Sequence, residues 1–440
     1  MPKVDELDKW RRTHYSSDIA PNLDGKKVTV FGRVTSIREQ GEITFIIVQD
    51  KCGILQITVK KSKAPKKVLD RIKDLNEHSI LGVRGILKSI DKAPHGAEVI
   101  PSEIKVLDFV RKSLPFNPYK RELPSLDKRL DVRALDLRRP KAQAIFRIRN
   151  AILWSIRKFL IKKGYLEVNT PKIIASATEG GATLFPLLYY NREAFLAQSP
   201  QLYKEQLASC FEKVFEIAPI FRAEQFDTLK HLSEAISVDV EEAFVNYEDS
   251  MKLLEQLVCN SIEFVNKECK EDLDILKHKI KKSETPFKQF TYDETINILK
   301  SEGLDIEWGE DLSTISLKTY SEKISGFYFI KDWPTSLKAF YINPKKGKPE
   351  ICESFDLMHG SLELSSGGTR VNTRKILETQ LEMKDLDPEQ FEYHLKTFDY
   401  GMPPHSGFGL GLDRLILVFT GLENIREVVL FPRDPTRLTP

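Results

Sequence analysis

Between residues 26 and 107, apolar positions recur in short β-rich runs broken by turn residues: "KKVTVFGRV" (26–34), "EITFIIVQD" (42–50), "GILQITVK" (53–60), "SILGVRGILKSI" (79–90) and "AEVIPSEIKVL" (97–107). One stretch among them, "APKKVLDRIKDLN" (64–76), predicts a helix. Three strands, a helix and two strands is the element order of an OB-fold barrel. The segment "RKSLPFNPYKRELPSLDKR" (111–129) is dense in proline and charge and reads as a linker. From Lys141 to Lys163 the period changes. Ile145, Ile148, Ile152, Ile156, Phe159 and Leu160 recur at helical spacing, with Pro140 where a first turn tolerates it and Gly164 as a stop. Beyond it, helices such as 248–267 mix with strands such as 213–224 and 363–371, so the second region is α+β. The expected layout is an OB-fold barrel over 1–110, a hinge over 111–135 and an α+β body over 136–440, with an inserted segment near 270–330 that shows no chemical motif.

Composition narrows the class of protein. The 440 residues are 41% hydrophobic and 30% charged, too many for one core and ordinary for a globular chain of two or three domains. No apolar run is long enough to span a bilayer, and "MPKVDELDKWRR" does not resemble a signal peptide. Cys52, Cys210, Cys259, Cys269 and Cys352 are odd in number and lack C-x-x-C spacing, which argues against a disulfide framework or zinc ribbon and for a reducing cytosol. A net charge of +3 leaves any nucleic-acid surface to be a local patch.

The stretch "GFGLGLDRL" (407–415) invites a nucleotide reading that its spacing refuses. A dinucleotide fingerprint needs G-x-G-x-x-G opening a βαβ unit, and a phosphate loop needs G-x-x-x-x-G-K-[ST]. What remains is a glycine-studded strand entering a helix, with Leu415, Leu417 and Val418 packing inward. Other constellations add to it. "PIFRAE" (219–224) ends a strand with Arg222 and Glu224 on one side, "KHLSE" (230–234) follows, and "ESFDLMHGSLELSSGGTR" (353–370) carries Glu363, Ser366 and Arg370. A buried ion pair explains one such pair, not several arginines and acids beside glycines. Attack of a carboxylate on the α-phosphate of ATP needs such a set: arginines on phosphate oxygens, acids for Mg²⁺, and glycines that let the nucleotide approach the backbone.

At these residues the chain resembles the class II aminoacyl-tRNA synthetases, in the aspartyl subgroup with an N-terminal OB anticodon-binding domain. The resemblance runs from "THYSSDI" (13–19) to "LFPRDPTRLTP" (430–440). "KKGYLEVNTPKI" (162–173), "FRAEQFDTLKHLSE" (221–234) and "GFGLGLDRL" are similar to the family's motifs 1, 2 and 3, in order. The resemblance implies an antiparallel sheet flanked by helices and a homodimer with Pro171 at its interface. It also implies ATP-dependent attachment of L-aspartate to tRNA(Asp) through an aspartyl-adenylate, with Mg²⁺, in the cytoplasm and away from membranes.

Residue roles follow from the same resemblance. It implies Arg222 on the α-phosphate and the aspartate carboxylate, Glu224 on the adenine amino group, and Lys230, His231 and Leu232 against ATP in the motif 2 region. It implies Gly411, Asp413 and Arg414 against ATP in motif 3, with Arg414 on the adenine or the γ-phosphate. Glu363 is the implied Mg²⁺ ligand with Ser366 beside it, and Arg222, Glu363 and Arg414 are the catalytic set. For the amino acid it implies Glu179 of "ATEGGATLF" (177–185) on the α-ammonium, together with Gln201, Lys204, Arg222, Ser366 and Arg370. Lys204 and Arg370 would form a dipositive pocket for the β-carboxylate, which neutral asparagine would leave uncompensated. Asparaginyl enzymes, which typically lack the lysine of "QLYKE", are the alternative; a lysyl enzyme would need acids at 204 and 370. One departure is Lys338-Ala339 in "DWPTSLKAFY" (332–341), where the subgroup often has Arg or Lys followed by Pro.

In the barrel an aromatic such as Phe45 is ordinarily a core residue, but the resemblance to related anticodon domains implies that Phe45 stacks on the central anticodon uridine, that Gln56 hydrogen-bonds it, and that Arg38 contacts the same base or a phosphate. Strict enzymes resemble a pattern with Trp on the first strand and Lys in the loop "DKAPHGAEV" (91–99); here Thr35 and Pro94 stand instead. The expectation is a non-discriminating enzyme that also charges tRNA(Asn). Two other classes compete. A non-catalytic nucleic-acid-binding protein would not need Arg222, Glu224, Glu363 and Arg414, and a tRNA-independent asparagine synthetase relative would not need the barrel.

Overall fold

The computed structural model describes residues 4–73, 75–175, 183–225 and 228–440. The chain divides into two compact units, 1–123 and 124–440. In the first, strands β1 (Lys27–Gln40), β2 (Ile43–Gln49), β3 (Ile54–Lys60), β4 (Ile80–Ser89) and β5 (Ala97–Asp108) close a barrel in the order β1-β2-β3-β5-β4. Helix α1 (Lys66–Ile72) lies between β3 and β4 in the chain. β1 runs on to Gln40, past the run that ends at 34, because its far half pairs with all of β2. In β2 the alternation is strict: Thr44, Ile46 and Val48 are buried, while Ile43, Phe45 and Ile47 are half-buried on the outer face. Val30, Val34, Ile46, Ile57, Leu81, Val99 and Val106 fill the interior.

The second unit is built on an eight-stranded sheet. Its strands are β6 (Leu166–Glu167), β7 (Lys213–Phe221), β8 (Glu234–Ala243), β9 (Lys288–Thr291), β10 (Phe327–Lys331), β11 (Ser354–His359), β12 (Leu362–Thr369) and β13 (His405–Gly411). Their order is β9-β10-β11-β12-β13-β8-β7-β6. The six central strands are antiparallel, and each edge strand pairs parallel to its neighbour. Parallel pairing needs a long crossover. Helix α3 (Gln201–Phe211) lies in the first connection, and helices Tyr292–Ser301 and Thr314–Ser321 lie in the second. The segment near 270–330 therefore supplies two strands of the main sheet, and its Tyr292, Ile296, Tyr320 and Tyr328 sit in a second apolar core.

Helices α2 (Pro140–Lys162), α4 (Tyr247–Glu268) and α5 (Leu412–Thr420) share one core with the sheet. α2 carries Pro in its first turn and ends before Gly164, whose φ of +86° suits glycine. α4 starts at Asn246, whose side chain accepts from the Glu248 and Asp249 N–H groups at 2.9 and 3.2 Å. Among the described residues no helix is long and apolar enough to cross a membrane.

Strand periodicity decides which side chains meet the helices and which build the other face. In β8, Val238 and Val240 enter the helix-side core, and so do Phe408 and Leu410 in β13. The intervening Ser237, Asp239 and Glu241 lie opposite Gly411, Gly409 and Gly407. Acids on one strand thus face glycines on the next. A Cβ on Gly407 would stand 2.3 Å from Glu241 Oε2 and 2.1 Å from Val240 O, closer than real atoms approach. The alternation of "GFGLG" therefore makes room, at Gly407, for a protein carboxylate rather than for a nucleotide, while Gly409 and Gly411 line the cavity.

Candidate active site

Over this face lies a cavity of about 510 Å³. It gathers Gln201 and Lys204 from α3, Arg222 and Glu224 beyond β7, and Lys230, His231 and Leu232 before β8. It also takes Glu363, Ser366 and Arg370 from β12 and just past it, and Gly411, Asp413 and Arg414 from the β13–α5 junction. Glu179 lies outside the described residues, and Pro171 is exposed and does not line the cavity. β7 stops at Phe221, so Arg222 and Glu224 lie past its end. The chain is still braced there: Arg222 N–H donates to Ser233 O at 2.9 Å, and Ser233 N–H to Arg433 O at 2.8 Å.

One end of the cavity holds buried charges of both signs. Lys204 Nζ donates to Asp239 Oδ1 at 3.0 Å and to Phe408 O at 3.2 Å, and lies 3.5 Å from Glu241 Oε2. Arg370 grips Glu241 through Nε at 2.9 Å and Nη2 at 3.2 Å. Burial opposes the Arg370 charge, but Glu241 outweighs it and raises its pKa. The pair Lys204 and Arg370 is therefore not a bare dipositive pocket; Asp239 and Glu241 neutralise it, because two cations this deep would not remain unpaired. Both acids were legible only as polar members of the period-2 pattern "SVDVE".

Elsewhere in the cavity the basic side chains of Arg414, Lys230 and His231 gather beside the carboxylates of Glu363 and Glu224. Arg414 Nη1 donates to Glu363 O at 2.9 Å, Lys230 Nζ donates to Ser361 Oγ at 3.3 Å, and His231 Nδ1 lies 2.6 Å from Thr228 Oγ1. Burial and then Arg414 push the pKa values of Lys230 and His231 down. Neighbouring like charges of this kind are relieved by an anion between them, which is how polyphosphate sites are built. Asp413 serves differently: one oxygen accepts from Ile236 N–H at 2.8 Å and the other pairs with Arg149, so its carboxylate ties α5 to β8 and α2.

Glu363 and Ser366 are exposed toward the cavity from β12. Asp356, missed in the sequence, lies opposite Ser366 on β11 and is gripped by Lys338 Nζ at 2.8 and 2.7 Å. Burial pushes the Asp356 pKa up to about 6, with Glu363 adding and Lys338 opposing. Among the described residues no group of three or more His, Cys, Asp or Glu forms a metal cage. Mg²⁺ does not need one: one or two carboxylates plus substrate phosphates and water suffice. Glu363 with the Ser366 hydroxyl offers such a hard-oxygen set, so these residues fit the ion. A second cavity of about 270 Å³ adjoins this corner and is lined by Asp311, Leu312 and Leu317, so the 270–330 segment reaches it.

On the barrel, Arg38 lies opposite Phe45 and Phe45 opposite Thr58. Gln56 is two residues from Thr58 and so shares their face. Phe45 is on the outer side, away from Ile46 and Val48, and is not a core residue. Gln56 Nε2 donates to Glu98 Oε2 at 2.8 Å, which Thr58 Oγ1 also reaches at 2.6 Å. Glu98 was not anticipated.

The family described as "tRNA synthetases class II (D, K and N)" matches residues 125–435, and "OB-fold nucleic acid binding domain" matches 28–107. The chain is 48% identical to the Aspartate–tRNA(Asp/Asn) ligase of Methanothermobacter thermautotrophicus over 99% of its own length and 100% of that protein's. It is 48% identical to the protein of the same name from Archaeoglobus fulgidus, covering 97% and 99%. Among solved structures, the asparaginyl-tRNA synthetase of Pyrococcus horikoshii complexed with asparaginyl-adenylate superposes with a TM-score of 0.92 at 34% identity, covering 98% of this chain and 100% of that one. The aspartyl-tRNA synthetase of Entamoeba histolytica gives 0.87 at 29% identity, covering 100% and 96%.

Proposed function

The chain belongs to the class II aminoacyl-tRNA synthetases of the D, K and N group, and on that premise we propose that it is an aspartate–tRNA ligase serving tRNA(Asp) and also tRNA(Asn). The family uses ATP with a divalent metal; we assign Mg²⁺, held by Glu363 and Ser366, where it would screen the charge of the phosphates. The aspartate α-carboxylate attacks the α-phosphorus of ATP, pyrophosphate leaves, and the terminal hydroxyl of the tRNA then takes the aspartyl group from the adenylate. Arg222 stands where the two anions meet. Glu224 accepts from the adenine amino group, Leu232 and Gly411 border the nucleotide, and Lys230, His231 and Arg414 take its distal phosphates. Glu179 and Gln201 hold the α-ammonium, and Lys204 and Arg370 the β-carboxylate, with Asp239 and Glu241 as the counterions it competes with. The observation that carries this reading is the meeting of Arg222, Arg414 and Glu363 with Lys204 and Arg370 in one cavity.

On this reading residues 1–110 select the tRNA, 111–135 connect, and 136–440 carry the chemistry. A uridine presents N3–H as its donor. Because the Gln56 nitrogen is committed to Glu98, its amide oxygen is available to accept that proton, with Phe45 as the stacking surface and Arg38 beside it. Gln56→Ala is expected to lower the charging efficiency of tRNA(Asp) about tenfold or more, with aspartate-dependent ATP–pyrophosphate exchange unchanged. Loss of exchange in that variant would contradict separate roles for the two units.

A homodimer is part of the proposal. Trp154, Ile161, Leu166 and Ile173, in and near the motif 1 match that includes Pro171, are 58, 57, 47 and 47% exposed, and large apolar side chains left exposed are what subunit interfaces cover. Five free cysteines support a reducing cytosol. The test of the whole reading is charging of tRNA(Asp) and tRNA(Asn) transcripts with labelled aspartate and asparagine in parallel. Aspartate is expected on both and asparagine on neither. Absence of aspartyl-tRNA(Asn) above background removes the dual specificity that Thr35 and Pro94 suggest, and transfer of asparagine favours an asparaginyl enzyme.

A further inference from the structure

We propose that Glu205 is a positioning residue for the amino-acid pocket: a buried carboxylate that fixes the Gln201 amide with its oxygen turned toward the substrate ammonium group, and that is itself held by His394 and His405. The inference rests on the assignment of Gln201 to the aspartate pocket and adds how that side chain is oriented.

Glu205 follows Gln201 by one turn of α3, and both are buried. Gln201 Nε2 donates to Glu205 Oε1 at 2.6 Å. An ionised carboxylate only accepts, so the amide must offer it the nitrogen and turn its oxygen the other way. Gln201 lines the cavity. With the opposite amide orientation it would present N–H to an ammonium, donor against donor.

The second Glu205 oxygen lies 3.3 Å from His394 Nε2 and 3.7 Å from His405 Nε2; all three atoms are buried and none makes a hydrogen bond of good geometry, so the two imidazoles act on the carboxylate through charge and proximity. The far nitrogens fix the protons. His405 Nδ1 faces Pro403 O at 2.8 Å, an acceptor, so Nδ1 carries hydrogen. His394 Nδ1 faces Gln206 Nε2 at 3.2 Å, a donor, so its proton sits on Nε2 toward Glu205. Burial disfavours the His405 charge, yet Glu205 and Glu241 raise its pKa; burial likewise disfavours the Glu205 charge, yet the two imidazoles lower its pKa. The cluster reaches the other pocket cations as well: Lys204 precedes Glu205 in the chain, and His405 O accepts from Arg370 N–H at 2.9 Å.

The experiment is ATP–pyrophosphate exchange with aspartate and ATP varied separately, in full-length protein whose folding is checked by thermal unfolding. Gln201→Ala tests the underlying assignment, and an unchanged KM for aspartate there would remove that assignment. With it in place, Glu205→Gln is expected to raise the KM for aspartate about tenfold or more while the KM for ATP stays within about twofold. Should that variant not fold, His394→Phe still removes the Nε2 donor and is expected to raise the aspartate KM alone. His394→Gln, which keeps a donor near that position, should restore it. An aspartate KM within about twofold of wild type in folded Glu205→Gln or His394→Phe, equal rises in both KM values, or no rescue by glutamine overturns the proposal.

Discussion

Replacing Arg222 by alanine is expected to lower aspartate-dependent ATP–pyrophosphate exchange about 10³-fold, with tRNA binding within about twofold of wild type. The reacting groups are both anionic, and negative charge grows on the oxygens around the α-phosphorus and on the departing pyrophosphate as the new bond forms. A fixed guanidinium stabilises that state more than the separated substrates, so its loss falls on kcat as well as on KM. Its backbone N–H is held by the Ser233 carbonyl, and Ser233 in turn by the Arg433 carbonyl, so the backbone that carries the side chain is fixed without substrate. Arg222→Lys keeps the charge without the planar fork and should recover only part of the loss. Exchange near the wild-type rate in the alanine variant would remove Arg222 from the reaction.

The legibility of this site in the sequence follows from how far apart its parts lie. Periods of 2 and 3.6 located α2, α4 and the barrel strands other than the far half of β1 closely, because one buried face per element leaves a repeating mark. The matches to motifs 2 and 3 marked residues that line the cavity, whereas the match to motif 1 marked none of them. What could not be read was pairing across strands. Asp239 and Glu241 are two acids among many until the register sets them opposite Gly409 and Gly407 and beside Lys204 and Arg370. Asp356 became part of the Glu363 corner only through the pairing of β11 with β12, and Glu98 met Gln56 only through barrel closure. Lys204 and Asp239 are separated by 35 residues in the chain, and Arg370 and Glu241 by 129, and no local pattern links them.

Asp136→Asn is expected to destabilise the second unit by about 3–5 kcal/mol, lowering its unfolding midpoint by on the order of 10 °C. Asp136 is fully buried among three arginines: Arg133 Nη1 at 2.6 Å, Arg139 Nε at 2.6 Å and Arg129 Nη1 at 3.0 Å. Burial alone would raise its pKa, but Arg139 and Arg129 outweigh that and hold it below the usual carboxylate value. A depressed folded-state pKa contributes stability that is present above the unfolded value and is lost as pH falls through the folded one, so the variant's deficit should be full at neutral pH and shrink in acid. Asparagine preserves the shape, which separates the missing charge from a cavity. The damage should not stay local. Arg133 also donates to the carbonyls of Leu430 at 2.8 Å, Val429 at 2.7 Å and Glu427 at 3.2 Å, the segment that leads to Arg433 and its bond to Ser233. Loosening Arg133 therefore releases the brace behind Arg222, and exchange activity should fall at temperatures below the unfolding midpoint. A variant with wild-type stability at pH 7 would mean that the arginines find other partners, and that this cluster does not anchor the C-terminal segment.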